Sequence, residues 1–113
     1  MIQKGSLTFK AATGLKARRF VDITASTDSV AYSATGATSD AITLGDEENG
    51  VIEVQLLKDV SKSFFFDAED TIAVGDDVEV GTNGQGRKAS AGQMVCIAKT
   101  NTIKDSVGTG YNF

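Results

Sequence analysis

The chain has no histidine, no proline, no tryptophan and a single cysteine, Cys96, among 113 residues. Without histidine, the commonest general base and the commonest zinc ligand are missing, which excludes Ser-His-Asp and Cys-His chemistry. One cysteine has no partner for an internal disulfide. No apolar run approaches the roughly 20 residues of a membrane span, and the first residues lack the apolar stretch of a secretory signal. The expectation from these absences is a protein made in the cytoplasm, with no membrane partner. Its length suits one domain with one core.

Glycine, by contrast, is abundant at 12 residues, which suits short strands joined by tight turns. Charge is unevenly spread. Before Asp22 there are five basic residues (Lys4, Lys10, Lys16, Arg18 and Arg19) and no acid; residues 22–86 carry a net −12, and from Arg87 onward the net is +3. Two readings of this asymmetry stand: complementary contacts with another surface or between copies, or ordinary solvated strand faces. The overall charge of −4 and the few aromatics among the basic residues argue against a nucleic-acid partner.

Alternation of apolar and polar residues predicts strands within Ile2–Ala12, over 20–24 with Val21 and Ile23 inward, from 41 to 44, and over 51–57. Gly14 to Arg19 reads as a basic connection, either a turn or a mobile arm. Ala25 to Asp40 reads as a long loop or as a loop holding a short strand at 30–33. Phe64 and Phe66 share one face of a strand and Phe65 takes the other, so Phe65 is a candidate subunit contact if the fold leaves that face open, and a covered residue if a barrel or sandwich rim lies over it. Val78 and Val80 face inward, with Asp77 and Glu79 on a wet face. Asn83-Gly84 predicts a hairpin turn, followed by a strand over 85–89 with a bulge at Gly86. Met94 to Ala98 reads as a buried strand with Cys96 in the core. Residues 101–113 read as a flexible polar tail whose Tyr111 and Phe113 anchor on a neighbour.

The candidate chemical motifs are weak. The acidic run from Gly45 to Gly50 offers hard oxygen ligands, but its spacing does not fit a calcium loop. Asp67, Asp70 and Asp76 are the carboxylates a small hydrolase or glycosidase would use, and they fall in turns without a cleft. Residues 81–88 match neither the phosphate-loop nor the dinucleotide spacing. Cys96 has no nearby base to activate it. The expectation is a protein without enzymatic activity, with no metal and no cofactor.

The order of elements in the later half carries a resemblance. Val54 and Leu56, the Phe64 to Phe66 cluster, Ala68, Ile72, Gly75-Asp76, Val78, Gly84, and Ile97 with Ala98 resemble the pattern of the capsid cement, or head decoration, proteins of tailed bacteriophages. The chain departs from that group where a closing strand is expected and a Gly-rich tail stands instead, and its first forty residues have no counterpart. The resemblance implies an all-β, single-domain β-barrel or β-tulip-like fold with antiparallel hairpins and flexible termini. It implies a homotrimer that decorates and stabilises the capsid outer surface of the virion by binding the major capsid protein, with residues 1–19 as a capsid-docking arm. The contact residues it leads to are Ile2, Leu7, Phe9, Lys16, Arg18, Arg19, Phe65, Arg87, Lys88, Tyr111 and Phe113. The alternative is a carbohydrate- or host-surface-binding β module of a phage tail or adhesin, using the loop over 25–40 and the aromatic tail.

Overall fold

The computed structural model describes residues 6–57 and 63–111. Ten β-strands run through them, and no α-helix occurs among the described residues. The first five, β1 (Ser6–Ala11), β2 (Phe20–Thr24), β3 (Ser29–Tyr32), β4 (Ala41–Thr43) and β5 (Val51–Leu56), close into a barrel in the order β1-β3-β2-β4-β5. The rest are β6 (Phe64–Asp67), β7 (Asp77–Val80), β8 (Gly86–Lys88), β9 (Met94–Ala98) and β10 (Val107–Tyr111), which form a sheet in the order β6-β10-β9-β7-β8. The expected all-β barrel fold is therefore the observed one, with a second sheet packed on the barrel.

The packing explains why several strands are apolar on both faces. Neighbouring side chains on a strand point to opposite sides. Val21, Ala41, Ile52 and Val54 thus fill the barrel, together with Leu15 and Val30. Their neighbours Phe20 and Ile42 point out of the barrel into a second core with Phe64, Phe66, Ile72, Val78, Val80 and Cys96. The Phe20 ring meets Phe64 edge-on at 6.1 Å and Phe66 at 6.0 Å, geometries that aromatic quadrupoles favour. Phe65 lies on the opposite face of β6, as the alternation predicts, and of the two readings of that face the open one holds, since Phe65 is exposed.

The second sheet is built from one motif used twice, thirty residues apart, with Phe66 matching Cys96 and Ala68 matching Ala98. Ile72 and Thr102 exchange both backbone hydrogen bonds at 2.8 Å, on a local two-fold axis. Gly75 N–H donates to Ala98 O at 2.9 Å, and its counterpart Asp105 N–H donates to Ala68 O at 3.0 Å. Ala98 N–H donates to Asp76 O as Ala68 N–H donates to Ser106 O, both at 2.9 Å. Gly75 and Asp105 both take a left-handed φ, 89° and 67°. The sequence hides this repeat because valines in one copy, Val78 and Val80, stand where the other has Gly108 and Gly110.

Those glycines correct the tail. The Gly-rich segment expected to be flexible holds β10, a central strand paired with both β6 and β9. Its glycines make room for neighbours: a Cβ on Gly110 would stand 2.7 Å from Cys96 Sγ, and one on Gly108 would stand 2.9 Å from the Phe66 ring. Gly86 has the same role, since its Cβ would come within 2.6 Å of Phe66, and it is a regular ladder partner of Val80 rather than a bulge. The register shift lies between β7 and β9, at Val78 and Glu79. Asn83 and Gly84 do take the left-handed conformations expected of them, φ 52° and 74°, inside a longer connection between Val80 and Gly86.

Three further expectations are resolved. Over 25–40 the strand reading holds, as β3. For Gly14 to Arg19 it is the turn: Leu15 and Ala17 are buried, and the backbone is held by Tyr32, Asp46 and Thr43. Glu79, expected on a wet face, is only 1% exposed, because residues 90–92 fold over the outer face of β7 and bond its carboxylate.

Candidate docking surface

The polar clusters of this chain tie its own segments together. Glu79 is the most buried. Its Oε2 accepts from Arg87 Nη2 at 2.7 Å and Nε at 3.0 Å, and its Oε1 accepts from Ser90 N–H at 2.6 Å and Gly92 N–H at 3.2 Å. The Ser90 amide and then the Arg87 guanidinium hold its carboxyl below the ordinary carboxylate value. Gly92 in turn abuts Gly36, and a Cβ on it would meet the Gly36 Cα at 2.5 Å, so the carboxylate clamps the loop after β8 onto the loop after β3. Sequence reasoning missed this clamp, for which Glu79 and Arg87 lying opposite each other across a hairpin was the available signal.

A second cluster joins the barrel to the second sheet. Asp67 accepts from Arg18 Nε at 2.8 Å and from Arg19 Nε at 2.9 Å. Arg19 lies 5.9 Å over the Tyr32 ring and donates to Asn83 O at 3.1 Å. In the acidic turn, Glu47 accepts from Gly14 and Gly50 N–H, and those bonds hold its carboxyl below the ordinary range. Asp46 accepts from Ala17 N–H at 2.8 Å, so the run expected to be a turn rather than a calcium loop caps the barrel. Of the three carboxylates weighed for hydrolysis, Asp67 faces two arginines, Asp70 accepts from Thr71 N–H, and Asp76 accepts from Ala73 N–H at 2.9 Å. Burial pushes the Cys96 thiol up to about 12, as suits a core residue.

The exposed apolar side chains lie elsewhere. On the outer face of the second sheet, Phe65 stands opposite Thr109, which places it diagonally between Val107 and Tyr111 on the same face. Tyr111 pairs with Ile97 on the next strand. Phe65 is 62% exposed, and Val107 and Tyr111 are exposed with it. Two turns add Val74 and Ile103, and the barrel adds Leu7, Leu44 and Val51.

The residues singled out by sequence distribute as follows. Phe65 and Tyr111 share this face. Arg18 lines a groove beside Phe65. Leu7, Lys16 and Lys88 are exposed at separate places on the barrel and on β8. Phe9 packs against the barrel core, and Arg19 and Arg87 are engaged in the clusters above. Ile2 and Phe113 lie outside the described residues. Leu44 and Val74 escaped notice because apolar residues in short strands and turns read as core, and Val107 and Ile103 because they stand in the segment read as a flexible tail.

No family model matches the chain, and no curated protein shows significant sequence similarity to it. Among solved structures it is similar to the head fiber gp8.5 N base of bacteriophage phi29, with a TM-score of 0.79 and 18% sequence identity, over 96% of this chain and 92% of that one. The two folds correspond almost end to end. At that identity the likeness is one of fold.

Proposed function

We propose that this chain is a structural protein of a tailed-phage virion, seated on the outside of the head by contact with the major capsid protein lattice, and that it performs no bond-making chemistry. The single observation that carries this reading is its end-to-end fold likeness to a head fiber base, 96% of one chain on 92% of the other. The distribution of polar and apolar groups supports it. Glu47, Glu79, Asp67, Arg19 and Arg87 are engaged in internal clamps, while large apolar side chains are displayed on an open sheet face, the pattern of a surface that binds another protein. Seating as a trimer suits the role, because modest contacts repeated about a three-fold axis add through effective concentration.

The experiment is co-sedimentation of the purified protein with empty shells assembled from the major capsid protein, read beside light scattering of the protein alone. Saturable binding at a fixed ratio to shell subunits is expected, with a three-chain mass for the trimer. A protein that stays in the supernatant at every shell concentration removes the reading.

A further inference from the structure

The outer edge of β6 is filled one step at a time. Thr109, opposite Phe65, receives Lys99 N–H on its carbonyl at 2.7 Å and donates its own N–H to Thr100 Oγ1 at 3.3 Å. Phe65 is therefore at a position whose backbone N–H and C=O point away from β10, and so are Asp67 and, past the end of the strand, Glu69. Glu69 N–H donates to Gly86 O at 2.8 Å, and Asp67 N–H donates to Arg18 O at 2.9 Å. At the next step the ladder stops, and Phe65 finds a partner for neither group among the described residues.

At that same step the two sheets part to leave a groove of about 280 Å3. Leu44, Phe64 and Phe65 give it apolar walls, Thr43 and Gln55 add polar ones, and Arg18 is the only charged side chain among the described residues that line it. Arg18 is 44% exposed and commits its Nε to Asp67, so its terminal nitrogens have no acceptor among the described residues. An unpaired strand step, an apolar slot and a spare guanidinium thus meet in one place. Each matches a different part of an extended peptide: its backbone, an apolar side chain and a carboxylate.

We propose that this groove receives an extended acidic segment of the shell protein, which continues the β6 ladder at Phe65, seats an apolar side chain against Leu44 and Phe65, and sets a carboxylate on Arg18. The inference rests on the shell-binding reading above. Charge selects this occupant over a neutral or basic strand, because the one charged group among the described residues that line the groove is a partly desolvated cation.

The test uses the full chain and empty shells, with two readouts. In hydrogen exchange, the Phe65 amide, exchanging freely in the protein alone, is expected to become protected on shells. In sedimentation, Leu44→Asp, which sets a like charge against the incoming carboxylate, and Phe65→Pro, which removes the free N–H without touching the β10 ladder, are expected to weaken binding about tenfold or more. Thr27→Ala, in the exposed turn between β2 and β3 and outside both the groove and the open sheet face, is expected to bind like the parent. Melting curves establish that each variant is folded, and the exchange readout on the parent stands if Phe65→Pro is not. Shell binding that leaves the Phe65 amide exchanging freely and Leu44→Asp unimpaired overturns the groove while leaving the virion role intact. Absence of shell binding by the parent overturns both. Phe65 protection that appears in concentrated protein without shells assigns the groove to a second copy and overturns the proposed occupant.

Discussion

At the scale of single residues, the chain spends its charge inward. The Glu79 carboxylate takes four hydrogen bonds from three residues, and each is made to the ionised form. A carboxyl whose folded value lies below its unfolded one contributes stability that is present above the unfolded value and is lost as pH falls through the folded one. Glu79 and Glu47 are both lowered from 4.5. The melting temperature is therefore expected to hold steady above pH of about 5 and to fall as acid is added below about pH 4. Glu79→Gln leaves Arg87 without its anion and is expected to cost about 2–3 kcal/mol at neutral pH. It should also flatten the acid limb, read as melting temperature against pH. A variant whose acid limb matches the parent's would show that the clamp does not set it.

At the scale of elements, strands with a period-two pattern were legible, and what broke the pattern was not. β2 and β5 follow from alternation and β-branched content, β9 from its unbroken apolar run, and Phe65 on the face opposite Phe64 and Phe66 follows from side-chain direction alone. β10 was illegible because its inward positions are Gly108 and Gly110, whose missing side chains are the space that Phe66 and Cys96 occupy. In one dimension that sequence reads as a linker. The burial of Glu79 was hidden for a different reason, since its cover is the loop after β8 folded back over β7, which no alternation pattern shows. The groove beside Phe65 was half legible: Phe65 and Arg18 drew attention separately, and only the fold brings them to one place. Ending the chain after Ser106 tests the corrected element. A flexible tail could be removed at little cost, whereas removing β10 strips β6 and β9 of the strand between them. The expected outcome is loss of the cooperative thermal transition and of near-ultraviolet dichroism; a truncated chain melting within a few degrees of the parent would restore the tail reading.

At the scale of the whole molecule, the function reading depends on a surface, and composition foresaw little of one. The absence of histidine and the spacing of the acidic runs steered the reading away from catalysis, but which apolar side chains stay outside depends on how the two sheets meet. That meeting has a mechanical consequence. Phe20 and Val21 are adjacent in the chain and both fully buried, one in each core, and Ala41 and Ile42 repeat the arrangement. β2 and β4 are thus a party wall: neither room can be opened without taking down masonry that the other leans on. Calorimetry should accordingly show one endotherm whose van't Hoff and calorimetric enthalpies agree, where two resolved peaks would mean independent rooms. A building of that kind passes a pull applied at one sheet directly to the other, so a load taken at the open sheet face is shared by the barrel.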